Sequence, residues 1–372
     1  MQPPGVDKLK KIGITLPAKK LLNFWTNGLG QNAITLYRLL EKQGYDVWFL
    51  TDRNEKLKTS KNLKGIKWKV VWDSVKSGER FDLLLEIGFS FQGGNEKYRQ
   101  QLTDNMVAIK YGNEIMWDLE SMTKQGCTRE IIPTSDEPIQ EIWISPHFQF
   151  GDQYIKTKHK ASSVKVCPYI WSTEFIEGAI KKSSKDPRYS PDNKKAIGVF
   201  EPNLQIVKSC LIPVMICEEA HNQNIAFDSA WIFGTDHIRK SKQVIDLFKN
   251  LKISRAGKIS FEDRRSLCYC LSNYVDIIIS HHHFNSLNYL TLEALYLGYP
   301  IIHNSKDFKD AGYYYEDFDI QGAVNALRDV IENHDNNLEE YKKKGEKYIW
   351  KYSPENPENI KGYIDLIEGT FK

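Results

Sequence analysis

Short apolar runs alternate along this chain with longer amphipathic segments. The runs are typical of buried strands, and the longer segments repeat apolar residues with the period of a helix. The predicted strands are 11–16, 46–50, 83–87, 106–110, 141–144, 196–200, 229–234, 258–259, 275–279 and 301–303. The main predicted helices are 32–42, 206–220, 242–251, 261–271, one between the last two strands, 320–333 and most of 338–372. This alternation predicts an α/β protein with parallel sheets covered by helices on both faces.

The length of 372 residues suggests two domains of this kind. Residues 164–173 resemble a segment that crosses between two α/β domains. Residues 181–195 read as a polar connection that contains proline, and a new strand–helix pattern starts at residue 196. The chain shows no internal repeat and no low-complexity tract.

Composition and charge narrow the functional classes. The apolar fraction of 41% is ample for two cores and argues against disorder. The formal net charge is only +3, with Lys and Arg dispersed among Asp and Glu, so nucleic-acid binding is not indicated. Lysines cluster at 181–185 and at 342–344. Solvated helix ends are the plain interpretation of these clusters, and an anionic membrane surface is the alternative.

Cysteine usage and hydropathy bear on location. The cysteines, none of them in a C-x-x-C pair, are predicted to be buried thiols in a reducing compartment; they are Cys127, Cys167, Cys210, Cys217, Cys268 and Cys270. The first residues lack an apolar signal region. No apolar run approaches the roughly 20 residues that span a bilayer. We therefore expect a cytoplasmic protein, or one peripheral to a membrane.

The most informative segment is residues 279–305, ISHHHFNSLNYLTLEALYLGYPIIHNS. Its polar loop directs hydrogen-bonding groups towards a helix N-terminus, whose free N–H groups and partial positive charge suit a phosphate. His281 and His282 are candidate donors to a phosphate or a sugar hydroxyl. Ser286 and Asn288 suit capping of the helix with or without a ligand. A metal site at the adjacent histidines is disfavoured, because neighbours on an extended chain face opposite ways.

A second glycine-bearing loop allows two interpretations. Gly28 and Gly30 nominally fit G-x-G-x-x-A, and Asp52 follows the second strand, which suggests a nicotinamide-dinucleotide site. The first glycine of that fingerprint should follow the first strand directly, and here about ten residues intervene. A plain loop before a capped helix is the structural alternative.

Residues 196–304 carry a family resemblance. The sequence FEPN at 200–203 with the long apolar helix after it, together with segment 279–305, resembles an uncharacterised group of bacterial surface-polysaccharide proteins. That group is similar to retaining family 4 of the GT-B glycosyltransferases. The resemblance implies a GT-B fold, in which two Rossmann-like domains face a central cleft with their parallel sheets. It divides the chain into an acceptor domain at 1–170, a nucleotide-sugar donor domain at 171–345 and a terminal helix, 346–372, that returns to the first domain.

The implied reaction moves a hexosyl or pentosyl group from a nucleoside diphosphate sugar to a hydroxyl of a glycan or a lipid-linked acceptor. The resemblance implies no cofactor and no metal, and it favours retention of configuration. In a retaining reaction the leaving phosphate itself accepts the acceptor proton, so no strong protein base is required. In an inverting reaction His147 or Glu114, each placed after a strand of the first domain, is the candidate base.

The resemblance also implies roles for residues around the donor. Gly28 and Gly30 would permit close approach of the donor or the acceptor. Asn203 and Lys208 would lie beside the diphosphate, although Lys208 also fits a solvated helix lysine. Phe261 falls where the nucleotide base is usually held.

The family motif E-x7-E is only half present. Its second position matches Glu293, which is implied to bind the ribose hydroxyls. Its first position is Asn285, which can bind a sugar but carries no negative charge. A further motif, Asp-Phe-Asp at 317–319, matches the D-x-D of metal-dependent GT-A enzymes. Its place directly before a predicted helix favours Asp319 as an N-cap instead.

Three rival classes stay open at this stage. They are an NAD-dependent oxidoreductase built on the glycine loop, a metal-dependent GT-A transferase, and a nucleotide- or glycan-binding protein without catalytic activity. Fold analogy alone does not exclude the last class.

Overall fold

The computed structural model describes residues 9–23, 28–53, 65–91, 96–123, 139–191 and 195–371. The chain forms two compact units. One comprises Met1–Ser172 together with Tyr352–Lys372, and the other is Thr173–Lys351.

The first unit contains a parallel sheet with the strand order β3-β2-β1-β4-β5-β6-β7 over the described residues. Its strands are β1 Lys11–Thr15, β2 Asp46–Thr51, β3 Trp68–Val70, β4 Leu83–Glu86, β5 Met106–Lys110, β6 Glu141–Ile144 and β7 Ser163–Val166. Its helices are α1 Ala18–Leu22, α2 Gly28–Lys42, α3 Val71–Ser77, α4 Glu96–Leu102, α5 Glu114–Thr123, α6 Asp152–Lys158 and, from the end of the chain, α15 Pro357–Gly369. A 3₁₀ helix covers Pro146–Gly151.

The second unit repeats this plan with the strand order β10-β9-β8-β11-β12-β13, again with every described pair parallel. Its strands are β8 Ile197–Val199, β9 Ala230–Ile232, β10 Ile259–Phe261, β11 Ile277–Ser280, β12 Ile301–His303 and β13 Tyr313–Tyr314. Its helices are α7 Thr173–Ile180, α8 Leu211–Asn222, α9 Lys242–Asn250, α10 Lys252–Arg255, α11 Leu267–Asn273, α12 Tyr289–Leu297, α13 Ile320–Asn333 and α14 Leu338–Lys351.

Continuous apolar runs make the central strands of both sheets. The β8 strand and the run Ile277, Ile278 and Ile279 in β11 are almost completely buried, as is usual for parallel strands covered on both faces. Helices α8 and α13 contribute apolar side chains to the same core.

The cysteines of the described residues are free and buried, and burial raises the pKa of the Cys217 thiol to about 12.

The end of α12 depends on a glycine. Gly298 has a φ of 79°, a left-handed conformation that is favourable for glycine and costly for most other residues. Its amide donates to the carbonyls at the end of the helix, and β12 then begins after Pro300. The predicted strand–loop–helix–strand unit is therefore present, as β11, a loop, α12 and β12.

Several predicted boundaries are wrong. The helix predicted from residue 32 begins at Gly28, and the one predicted from residue 206 begins only at Leu211. Phe261 ends β10 and does not start a helix. Residues 164–166, predicted as part of a crossing segment, belong to β7 at the edge of the first sheet.

Candidate functional site

The second sheet has a topological switch point between β8 and β11, because successive strands are added outward in opposite directions from this pair. Open α/β sheets bind ligands outside the carboxyl ends of their strands at such a point. The loops that follow β8 and β11 meet there, since the His283 amide donates to the Val207 carbonyl at 3.1 Å. The residues of these two loops form the candidate site.

Glu201 links the two loops and is only 1% exposed. Its Oε1 accepts hydrogen bonds from the Ser280 hydroxyl at 2.6 Å and from the His281 amide at 3.3 Å. Its Oε2 lies 3.1 Å from Nε2 of His282. Burial alone would raise the pKa of Glu201, but the contacts with His282 and Ser280 bring it below its ordinary value. The carboxylate is therefore a buried anion held by hydrogen bonds. The sequence reasoning passed over this residue, although a carboxylate directly after a buried strand was a signal.

His281 is buried as a neutral imidazole. Its Nδ1 lies 2.8 Å from the Tyr315 hydroxyl. Burial, reinforced by the neighbouring His283 and His282, lowers the pKa of His281 to about 3. The His283 ring stacks against Phe318, with centroids 5.1 Å apart.

Three buried polar atoms of this loop have no hydrogen-bond partner among the described residues. They are Nε2 of His281, Nδ1 of His282 and Nδ2 of Asn285. Leaving a buried donor or acceptor unpaired costs about 1–3 kcal/mol, so such atoms in a native structure call for an explanation. Their clustering in one loop at the switch point is what a ligand-binding loop requires.

The start of α12 is capped by the residue predicted for that position. Asn288 is the N-cap, and its side-chain oxygen accepts from the Leu290 amide at 3.3 Å. Ser286 donates instead to the carboxylate of Asp307, in the 3₁₀ turn Lys306–Phe308. The side chain of Asn288 satisfies one first-turn amide, and a helix leaves four such groups without internal acceptors.

Glu293 lies one turn into α12 and is half-buried. Its carboxylate makes no hydrogen bond or ion pair with any described residue. Burial raises its pKa to about 7, against an ordinary value of 4.5. The structure thus places an unpaired hydrogen-bonding carboxyl close to the start of the helix.

Asn203 and Lys208 occupy the loop after β8, and the helical placement predicted for Lys208 is wrong. Asn203 adopts a left-handed φ of 53°. Its side-chain nitrogen Nδ2 donates to the carbonyls of Glu201 and Gly234, and its side-chain oxygen accepts from the Cys210 amide at 2.8 Å. Because both ends of the side chain form hydrogen bonds within the protein, Asn203 fixes the conformation of the loop. It ties the end of β8 to the start of α8.

Lys208 is half-buried in the same loop, and its ammonium group makes no hydrogen bond or ion pair with the described residues. Burial lowers the pKa of Lys208, and so does the positive charge of Arg264, while Glu201 acts in the opposite direction. Arg264 is exposed in the loop after β10. Two cations that repel each other at the carboxyl edge of a sheet are suited to binding an anion, because the anion offsets the repulsion.

Phe261, the predicted contact of the nucleotide base, packs against the core of the second unit. Its ring stacks on Phe248 of α9 at 4.5 Å with an interplanar angle of 8°. It belongs to the partly buried shell of the core.

Gly28 and Gly30 lie in a helix and not in the predicted loop. Gly28 and Gly30 are in the first turn of α2, and Asn27 lies outside the described residues. Helix α1 separates them from β1, so the tight turn of a dinucleotide fingerprint is absent from this position. Asp52 accepts a hydrogen bond from the Ala18 amide at 2.7 Å, at the start of α1.

The two base candidates of the first unit have different surroundings. Glu114 is buried and lies 2.7 Å from Nε2 of His159, 3.2 Å from Nζ of Lys110 and 3.3 Å from Nζ of Lys158. Burial would raise its pKa, but these partners hold it well below its ordinary value, which makes Glu114 a weak base. His147 lies in the 3₁₀ helix after β6, with its ring against Phe148 at 3.8 Å.

The D-x-D residues have structural partners. Asp319 is the N-cap of α13 and accepts from the Gly322 amide at 2.8 Å, which confirms the capping interpretation. Asp317 pairs with Lys306 at 3.2 Å. Within the described part of the chain, no group of three or more His, Cys, Asp or Glu residues is arranged to hold a metal ion.

Comparison with solved structures identifies the class of fold as GT-B. A glycosyltransferase from Rickettsia africae ESF-5 matches with a TM-score of 0.58 at 11% identity, over 98% of this chain and 100% of that one. Anabaena HepE, solved with UDP-glucose, gives 0.56 at 12% identity over 96% and 99%. TarM gives 0.57 at 11% identity over 96% and 99%. These matches confirm the predicted two-domain GT-B fold.

The family follows from the sequence. The model of the family described as protein of unknown function, DUF2827, matches residues 12–367, and the chain belongs to this family. Among proteins of curated function, none matches the sequence. No helix in the described residues is long and apolar enough to cross a membrane.

Proposed function

We propose that this protein is a glycosyltransferase that moves a sugar from a nucleoside diphosphate sugar to an acceptor hydroxyl. The observation that carries the proposal is the switch point between β8 and β11. There, unpaired buried polar atoms, two repelling cations and a helix N-terminus occupy the position at which α/β sheets bind ligands. The GT-B neighbours solved with UDP-glucose support a nucleotide-sugar donor.

The diphosphate is proposed to bind between the start of α12 and Lys208. The helix N-terminus supplies amide donors and partial positive charge. A bound anion would relieve the repulsion between Lys208 and Arg264 and would compensate the burial of the ammonium group. These fixed positive groups can stabilise the charge of the leaving diphosphate, so we propose a reaction that needs no metal ion.

The nucleoside is proposed to contact Glu293. Its carboxyl group accepts or donates hydrogen bonds according to its protonation state, and no described residue forms a hydrogen bond with it. A ribose diol offers two hydroxyl groups to such a carboxyl. The sugar is proposed to contact Asn285, whose unpaired Nδ2 is a donor.

The proposed stereochemical outcome is retention. The carboxylate Glu114 is neutralised by His159 and two lysines, which argues against its use as a base. A leaving phosphate can itself accept the proton of the incoming hydroxyl in a retaining transfer. His147 remains the candidate base for an inverting reaction. We further propose a hexosyl or pentosyl donor, a glycan or lipid-linked acceptor, and a site of action in the cytoplasm or at the periphery of a membrane.

The first experiment is a thermal-shift screen against UDP-glucose, GDP-mannose, dTDP-glucose, NAD and NADP, each with and without EDTA. We expect one nucleoside diphosphate sugar to raise the melting temperature, equally with and without chelator. Stabilisation by NAD alone would support an oxidoreductase, and a shift that EDTA abolishes would contradict metal independence. Release of nucleoside diphosphate from the selected donor then separates an enzyme from a binding protein.

A matched pair of lysine variants locates the binding site. Lys208→Met should lower the affinity for the selected donor about tenfold or more, because a charge-assisted hydrogen bond is lost. Lys242→Met, at an exposed lysine of α9, should leave the affinity unchanged. If calorimetry gives equal donor affinities for the two variants, Lys208 does not contact the donor.

A further inference from the structure

His282 has two opposite kinds of hydrogen-bonding partner at one ring nitrogen. Its Nε2 stands 3.1 Å from the carboxylate Oε2 of Glu201 and 2.9 Å from the amide nitrogen of Asn288. The carboxylate is an acceptor, and the amide nitrogen is a donor. Nε2 therefore has a suitable partner whether or not it carries a proton. The other ring nitrogen, Nδ1, can therefore gain or lose a proton while Nε2 keeps at least one of these two hydrogen bonds.

That other nitrogen, Nδ1, is one of the buried atoms without a partner in the described residues. His282 is only 5% exposed, so this atom is not hydrated as a surface group would be. The His282 backbone is also fixed, because its amide donates to Asn304 Oδ1 at 2.9 Å and its carbonyl accepts from Asn304 Nδ2 at 2.9 Å. The ring is thus held from two sides, with one polar atom left for a ligand.

We propose that His282 donates a hydrogen bond from Nδ1 to a diphosphate oxygen of the donor, and that Glu201 is the positioning residue of this contact. The inference rests on the proposed function and assigns one atom and one further residue to it. Glu201 accepts a hydrogen bond from the Nε2–H group and so allows the ring to carry a second proton at Nδ1. The proton comes from solvent when the diphosphate binds and returns to solvent on release. This contact breaks no bond of the substrate.

Charged and titratable groups surround the His282 ring. Glu201, from the loop after β8, lies 3.1 Å from Nε2. Lys208, on the same loop, carries positive charge close to Glu201. His281 and His283 flank the ring on its own loop, and His303 approaches from β12. A bound diphosphate adds negative charge on the Nδ1 side, so binding is expected to take up a proton.

Two substitutions at His282 separate its nitrogens. The amide of His282→Gln reaches towards Glu201 and leaves the Nδ1 position without a donor. The amide of His282→Asn lies near the Nδ1 position and loses the contact with Glu201. Calorimetry with UDP and uridine, and with GDP, dTDP and their nucleosides, measures the phosphate contribution directly. We expect His282→Gln to lower the diphosphate affinity about tenfold to a hundredfold, with nucleoside affinity unchanged. His282→Asn should lose less.

Proton uptake tests the role of Glu201. Titrations in buffers of different ionisation enthalpy give the number of protons bound with the diphosphate. The wild-type protein should take up more protons than His282→Gln, and this difference removes the titration of the ligand itself. Glu201→Gln should shift the uptake to lower pH while circular dichroism shows an intact fold. A structural role alone would not move this quantity.

The possible outcomes distinguish this inference from the proposed function. Equal diphosphate affinity and equal proton uptake in wild-type protein and His282→Gln would overturn the role of His282. An equal loss of diphosphate and nucleoside affinity would show a structural role only, and would also overturn it. Binding of none of the three diphosphates by the wild-type protein would overturn the proposed function itself, and the diphosphate contact with it.

Discussion

Polar residues of the candidate site fall into two groups by their partners. Glu201 and Asn203 use their side-chain groups in contacts within the protein. His281, His282 and Asn285 each retain a buried atom without a partner among the described residues. The hydrogen bonds of the first group fix the loops and stabilise the folded protein. The unpaired polar groups of the second group lower the stability of the folded protein. Residues that reduce the stability of the unliganded protein are the ones expected to bind a ligand.

Glu293 allows a test of the stability that is lost when a polar group is buried without a partner. Its folded-state pKa of about 7 exceeds the ordinary 4.5, so the folded protein binds the proton more tightly than the unfolded chain. Stability should therefore fall as the pH rises from about 4.5 through 7, and Glu293→Gln, which stays neutral, should not show this loss. We expect the variant to be about 1–3 kcal/mol more stable than wild type at pH 8 and equal to it below pH 4.5. Urea unfolding at both pH values measures the difference.

The same variant should bind the donor nucleotide more weakly, because a neutral amide replaces the carboxylate that is proposed to hold the ribose. Glu346→Gln, at an exposed position of α14, is the control and should change neither stability nor affinity. A Glu293 variant that is destabilised at pH 8, or that binds the donor normally, would contradict the assignment.

Residue types at the site were more predictable than their contacts. The sequence placed histidines, Asn285 and Glu293 after a buried strand and at the start of a helix, where the structure has them. It did not identify Glu201, because the partners of this carboxylate lie about 80 residues away in the chain. Long-range pairing of this kind leaves no local pattern. The assignment of Lys208 to a helix failed because the turn at 203–208 interrupts an otherwise apolar periodicity.

At the scale of elements, burial determined which strands were recognisable. The central strands of both sheets are buried apolar runs and were predicted from the sequence. The edge strands β3, β7 and β13 were not predicted. They are two to four residues long and only partly buried, so they lack a continuous apolar run. Helix starts were also misplaced, because a turn at 203–208 precedes α8 and because β10 continues to Phe261 before α11 begins.

Asn203 holds the loop that precedes α8. Asn203→Ala removes the contacts with Glu201, Gly234 and Cys210 and places a less suitable residue at a φ of 53°. We expect a loss of about 2–4 kcal/mol in unfolding free energy, from the unpaired groups and the strained backbone. Urea denaturation checks the value.

Asn203→Gly separates the two causes. Glycine tolerates the backbone conformation but makes none of the side-chain hydrogen bonds, so its loss should be smaller than that of alanine by about 1 kcal/mol. Both variants should weaken donor binding, because the loop also carries Glu201 and Lys208. Wild-type stability in Asn203→Ala would show that the loop is held by other contacts.

At the scale of the whole molecule, the chain returns to its first unit at the end. Helix α15 packs there through Tyr363 and Ile367, which are fully buried. The Tyr363 hydroxyl donates to the Pro168 carbonyl at 2.8 Å, and its ring lies 6.4 Å from that of Trp143 in β6. Lys10 pairs with Glu368 at 2.9 Å. Helix α15 is therefore part of the core of the first unit.

This arrangement predicts a selective effect of Tyr363→Ala. Loss of a fully buried aromatic side chain should cost about 3–5 kcal/mol, mostly in the unit to which it belongs. Hydrogen exchange followed by mass spectrometry should show faster exchange in peptides that cover β6 and β7, with peptides from β8 and β11 unchanged. Tyr363→Phe keeps the ring and loses the hydroxyl that donates to Pro168, so it should cost about 1 kcal/mol. Equal acceleration of exchange in both units would show that they unfold as one cooperative body, and the stability of the candidate donor site would then depend on a residue far from it in the sequence.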